Sequence, residues 1–68
     1  MIKMTFAQTQ ALGDVLVDGR HYILVNPKTQ IPEVGIWIDE IREFLCPIHE
    51  EYNNVCNNTI VICPESLL

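Results

Sequence analysis

The strongest constraint on the fold of this chain is an Asp-Gly pair that separates two runs of β-branched and aromatic residues. The pair is Asp18-Gly19, and the runs occupy residues 15–17 and 20–25. A two-residue Asp-Gly loop is typical of a type I′ turn, whose backbone twist matches that of the two strands it joins. The spacing therefore predicts a β-hairpin over residues 15–25.

The next segment fits two patterns. Apolar residues alternate over 34–38, as in a strand, but apolar residues from Ile31 to Tyr52 also recur at spacings of three and four, as in a helix. Gly35 and the β-branched residues around it favour a strand over 34–38, although a helix over this stretch stays open. We expect a helix to follow over about 39–53, with Asp39 as its N-cap.

The N-terminal segment carries a helix signature. Thr5, with Gln8 three residues later, has the spacing of a capping box, and Gly13 is a typical residue just past a helix end. We therefore expect a short N-terminal helix from Thr5 to Leu12, with an edge strand as the alternative.

A last strand is indicated over 59–63, between the turn residues Asn57-Asn58 and Pro64. Together the elements predict an α+β fold in a single small domain over residues 1–68. In this fold a small antiparallel sheet, formed by the hairpin and the two later strands, packs against one amphipathic helix.

The predicted helix over 39–53 bears most directly on function. Its apolar residues fall on one face and its carboxylates on the other. Pro47 lies on the polar side, where it would kink the helix without interrupting the apolar face. The acidic face consists of Asp39, Glu40, Glu43, Glu50 and Glu51.

Charge excludes several classes of function. The chain has nine acidic and four basic residues, for a net charge of −5, and the basic residues are scattered. Nucleic-acid binding needs clustered Lys and Arg, so we expect no direct nucleic-acid contact and no docking to an anionic membrane. The longest apolar run is far too short for a membrane span, and no signal peptide is visible. We expect a cytoplasmic protein.

The three cysteines allow alternatives. Reduced, partly buried thiols are the favoured interpretation, because a disulfide framework normally uses an even number of cysteines. A structural zinc site is the alternative, with Cys46, His49, Cys56 and Cys63 as its four ligands. Cys46 with His49 could also form a nucleophilic pair, but no third group or oxyanion feature accompanies it, so we expect no enzyme and no cofactor.

The sequence therefore predicts a small cytoplasmic protein-binding module. We expect its acidic helix face to occupy a basic, nucleic-acid-binding surface of a partner protein, a strategy of inhibitors from phages and mobile elements. Trp37 is the expected apolar anchor beside the carboxylates. The surplus of bulky apolar residues also allows a homodimer, and a zinc-stabilised adaptor remains the alternative.

Overall fold

A computed structural model describes residues 2–13 and 15–63 of the chain. In this part the chain forms one antiparallel six-stranded sheet and one short helix, in agreement with the predicted α+β class. The strand order across the sheet is β1-β6-β2-β3-β4-β5. The elements are β1 (Ile2–Thr5), α1 (Phe6–Leu12), β2 (His21–Val25), β3 (Pro32–Ile38), β4 (Glu43–Cys46), β5 (Glu51–Tyr52) and β6 (Ile60–Cys63).

The short N-terminal helix is confirmed together with its cap. The Gln8 amide donates to Thr5 Oγ1 (3.2 Å), and the Thr5 amide donates to Gln8 Oε1 (2.9 Å), which completes the capping box. Gly13 follows the helix with a φ of +86°. The strand that precedes the helix, β1, was not predicted as a separate element.

The predicted hairpin over 15–25 is wrong in its first arm. The Asp18-Gly19 turn exists, and the Arg20 amide donates to the Val17 carbonyl (3.1 Å). Only Gly19 has a positive φ (+79°), whereas a type I′ turn requires positive φ at both loop residues. Residues 15–17 therefore enter the turn as a loop and do not form a strand paired with β2.

β2 pairs with β3 instead of with residues 15–17. The two strands pair over five residues, from His21 opposite Ile36 to Val25 opposite Pro32. The pairing continues into the turn, where the Gly19 amide donates to the Trp37 carbonyl (2.8 Å). A long apolar partner strand buries more surface than three loop residues can offer.

The predicted helix over 39–53 is also wrong, because this segment forms two hairpins. β3 reverses into β4 through residues 39–42, and β4 reverses into β5 through residues 47–50. Pro47, which lacks the amide a continuous helix needs, lies in the second of these turns.

Three turns of the sheet share one construction. In each, an amide donates to the carbonyl four residues earlier, as in one turn of a helix. The donor then adopts a positive φ near +55°, which reverses the chain. The pairs are Gln30 to Asn26 (2.7 Å), Arg42 to Ile38 (2.9 Å) and Glu50 to Cys46 (2.9 Å), with φ values of +57°, +58° and +54°.

The core lies between α1 and one face of the sheet, which we call the inner face. Trp37 is fully buried there, with the Phe44 ring centroid 4.8 Å away. Phe6 brings the start of α1 onto both rings, at centroid distances of 6.3 and 6.1 Å. The buried apolar residues are Leu16, Tyr22, Leu24, Trp37, Phe44 and Val61.

Candidate binding surface

The opposite side of the sheet, which we call the outer face, is predominantly apolar, with His21 and Glu43 as polar members on β2 and β4. Along β2, β3, β4 and β6 the buried inner-face residues alternate with half-buried or exposed residues that point outward. The apolar members of the outer face are Ile23, Val25, Val34, Ile36, Ile38, Leu45, Tyr52, Ile60 and Ile62.

The strand register joins these side chains across five strands. Ile62 on β6 lies opposite Ile23 on β2, which in turn lies opposite Val34 on β3. Leu45 on β4 lies opposite Tyr52 on β5. Directly opposite residues have their Cβ atoms about 4.5–5.5 Å apart, so the outer-face side chains form rows that run across the sheet.

The outer face is only partly shielded from water. None of its nine apolar side chains is fully buried, and Val34 and Tyr52 are 40% and 56% exposed. Phe6 of α1, Leu16 and Val55 pack on the inner face. An antiparallel sheet with one solvated face normally carries polar residues on that face, so this composition is typical of a surface that receives a second layer.

A shallow groove of about 340 Å³ lies at one margin of the outer face, where β1, β6 and β2 meet. Thr5, Val25, Ile60 and Ile62 line it, and Lys3 stands at its edge. The groove gives the apolar surface a concave part that could receive a side chain of a partner.

The five carboxylates predicted on one helix face lie instead at two ends of the sheet. Three of them, Asp39, Glu40 and Glu43, are in or next to the β3–β4 turn. The other two, Glu50 and Glu51, are in or next to the β4–β5 turn, about 10 Å away along β4. All five residues are exposed. Glu43 shares the outer face with Ile38, whereas Glu51 lies opposite Cys46 and so points to the other side of the sheet from Leu45 and Tyr52.

A hydrogen-bonded cluster fixes the β3–β4 end. The Asp39 carboxylate accepts from the Arg42 guanidinium (2.8 Å) and from the Trp37 indole (3.3 Å). The Asp39 amide donates to Asp18 Oδ1 (2.9 Å), and Arg42 also donates to Gln10 Oε1 (2.8 Å). Asp39 thus has a structural role that Glu40 and Glu43 do not share.

Trp37 does not lie where a surface anchor would. Its side chain is completely buried, and the Arg42 guanidinium covers its ring at 5.1 Å from the centroid. The prediction of an apolar anchor beside the carboxylates is corrected accordingly. The alternation over 34–38 contained the reason, because Trp37 falls in register with Gly35, on the face opposite Val34 and Ile36.

Two of the four predicted zinc ligands lie together. Cys46 Sγ is 3.6 Å from His49 Nδ1, because the β4–β5 turn folds residue 49 back over residue 46. The backbone amides of His49 and Ile48, together with the His49 side chain, lower the pKa of the Cys46 thiol. Hydrogen bonds from these donors stabilise the thiolate relative to the thiol.

The other two cysteines have different surroundings. Cys56 Sγ is 3.4 Å from the Thr59 hydroxyl, which, with the Asn58 amide, lowers the pKa of the Cys56 thiol. Cys63 packs against the apolar core. Over residues 2–13 and 15–63, no three His, Cys, Asp or Glu side chains lie close enough together to hold a metal ion.

Sequence reasoning missed the outer face because it assigned the residues of β4 and β5 to a helix. The available signal was that Val34, Ile36 and Ile38 alternate with Gly35 and Trp37, so the strand is apolar on both sides. Such a pattern is typical of a strand that is covered on both faces.

Comparisons with protein-family models, with curated proteins and with solved structures found no match to this chain. The described residues also contain no helix with the length and apolar character that crossing a membrane would require.

Proposed function

We propose that this chain is a protein-binding module whose binding surface is the outer face of the sheet together with the carboxylates at its β3–β4 end. The observation that carries the proposal is the predominantly apolar composition of that face. The partner is a protein that presents an apolar patch flanked by basic residues. A nucleic-acid-binding surface has this chemistry, and a chain that covers it would act as an inhibitor.

The apolar part of the surface supports binding energetically. Removing apolar surface from water contributes about 25 cal/mol per Å², and the rows of Ile, Val and Leu offer it on a rigid sheet that needs no reordering. Val34, on the central strand β3, ends the row that runs from Ile62 through Ile23, and it is 40% exposed. It is therefore a position where a change tests binding without opening the core.

The charged part of the surface supports the choice of partner. The chain carries a net charge of −5, and Glu40 and Glu43 stand at the β3–β4 end of the outer face. Carboxylates at the rim of an apolar patch favour basic partners, steer their approach and disfavour acidic ones. Association should therefore weaken as salt concentration rises.

Affinity capture with matched baits tests the proposal. The chain, carrying an affinity tag, is compared with Val34→Lys, which places a charge on the outer face. Val17→Lys is the matched control, because Val17 is a valine of nearly equal exposure (44%) in the loop before β2, outside the sheet. We expect the wild type and Val17→Lys to retain the same basic protein, and Val34→Lys to retain at least tenfold less.

Charge reversal tests the rim. We expect Glu40→Lys with Glu43→Lys to weaken capture and to reduce its dependence on salt. Added double-stranded DNA or heparin should release the captured protein if its basic surface is the one covered. Retention of the partner by Val34→Lys, or release that does not respond to either polyanion, would contradict the proposal.

A second copy of the chain is the competing occupant of the outer face. Sedimentation of the purified protein distinguishes the two cases, because the proposal expects a monomer at micromolar concentration. A dimer that Val34→Lys dissociates, and that Val17→Lys does not, would assign the outer face to self-association.

A further inference from the structure

We propose that Cys46 and His49 form a thiol-exchange site that reacts with small disulfides and prefers cationic ones. This site is separate from the outer face and does not depend on the function proposed above. It would make Cys46 a point of reversible S-thiolation in the β4–β5 turn.

The turn supplies the geometry of the site. Cys46 ends β4, and the Glu50 amide donates back to the Cys46 carbonyl (2.9 Å), which closes the four-residue turn. The closed turn places His49 Nδ1 3.6 Å from Cys46 Sγ. A histidine in contact with a thiol stabilises the thiolate, which is the nucleophile in disulfide exchange.

Access distinguishes this thiol from a structural one. Cys46 is half-buried, His49 and Pro47 are exposed, and Ile48 at the tip of the turn is 78% exposed. The residues around the Cys46 sulfur therefore leave the turn open to solvent. Cys63 is also half-buried, but it packs against the core, where thiols react slowly.

The surrounding charges indicate the class of disulfide. Glu51 lies directly opposite Cys46 in the β4–β5 pair, so its side chain stands on the same side of the sheet as the thiol. Glu50, also exposed, is next to it in the turn. These two carboxylates attract a cationic reagent and repel an anionic one.

The exchange step is balanced without any further reactant. The Cys46 thiolate attacks one sulfur of a disulfide RS–SR, so that the bond between Sγ and SR forms while the RS–SR bond breaks. The electron pair of the broken bond leaves with RS⁻. This thiolate takes up the proton that the Cys46 thiol gave up, which His49 can carry between them. The Cys46 sulfur is oxidised as it enters the mixed disulfide, and the sulfur that leaves as RS⁻ is reduced to a thiol.

The test compares the two accessible cysteines within one molecule. The full chain is treated with cystamine, a cationic disulfide, and the mixed disulfides at Cys46 and Cys56 are followed over time by peptide mass. Cys56 is the internal reference, because its residue is exposed but its sulfur contacts a threonine hydroxyl instead of a histidine. We expect Cys46 to react about tenfold faster than Cys56.

Histidine variants test whether His49 causes the faster reaction at Cys46. His49→Gln should lower the rate at Cys46 several-fold, although the backbone amides of residues 48 and 49 remain, whereas His21→Gln should leave it unchanged, because His21 lies on β2. Equal rates at Cys46 and Cys56, or a rate at Cys46 that His49→Gln does not alter, would overturn the site.

A second reagent tests the preference for charge. Dithiodipropionate, a dicarboxylate disulfide, should react at Cys46 several-fold more slowly than cystamine, and Glu50→Gln with Glu51→Gln should remove the difference. Equal rates for the two reagents at Cys46 of the wild type would overturn the cationic preference.

Discussion

Gly35 occupies a point on the inner face where the packing leaves no room for a side chain. A Cβ atom there would lie 2.8 Å from Leu24 Cδ1, 2.8 Å from Asn53 Oδ1 and 2.9 Å from Phe44 Cβ. The absence of a side chain thus lets β4 and the segment after β5 close over β3.

Gly35→Ala should therefore destabilise the protein. Three neighbours must shift to admit the methyl group, and overpacking of this kind costs about 1–3 kcal/mol. Urea unfolding measures the effect, and we expect a lower midpoint with an unchanged slope. A loss of less than about 0.5 kcal/mol would mean that the inner face is more loosely packed than the structure indicates.

The elements that were predicted correctly are those that local sequence signals determine. The capping box at Thr5 specifies the start of α1, and β-branched runs mark the strands near 34–38 and 59–63. The errors over 15–17 and 39–53 share a cause, since each depended on which way a turn sends the chain. Arg42 and Glu50 adopt positive φ although neither is a residue type that normally does, so no sequence signal announced the reversals.

Glycine substitutions at two neighbouring positions distinguish the β4–β5 hairpin from the helix that the sequence predicted over 39–53. Glu50 has a φ of +54°, a conformation that costs a non-glycine residue about 1 kcal/mol, so Glu50→Gly should leave the free energy of unfolding unchanged or raise it. Glu51 lies in β5, where glycine weakens the strand, so Glu51→Gly should lower the free energy of unfolding by about 0.5–1 kcal/mol. Two equally destabilising substitutions would instead indicate the helix.

The molecule as a whole combines a small core with an apolar surface that the core does not use. Its inner face is covered by α1 and by loop residues, and its outer face carries nine apolar residues beside the acidic β3–β4 turn. Composition and charge alone indicated the acidic character and the surplus of apolar residues. Where each of them lies depends on long-range pairing, such as Ile23 with Ile62, which local patterns do not specify.

The acidic ends should also respond to salt in the free protein. Most of the carboxylates are exposed and few basic residues lie near them, so their mutual repulsion disfavours the folded state at low ionic strength. We expect the thermal midpoint to rise when salt is raised from 10 to about 150 mM, a range over which screening shortens from about 30 to about 8 Å. A midpoint that falls over this range would show that attractive pairs, such as Asp39 with Arg42, outweigh the repulsion.

The continuity of the outer face across β3, β4 and β5 is the claim on which the proposed function depends, and nuclear Overhauser spectroscopy tests it most directly. The account predicts cross-strand contacts between Ile36 and Leu45 and between Leu45 and Tyr52, because these residues are paired in the sheet. Contacts between residues three and four apart throughout 39–53, without the cross-strand contacts, would show a helix in this segment and contradict the account.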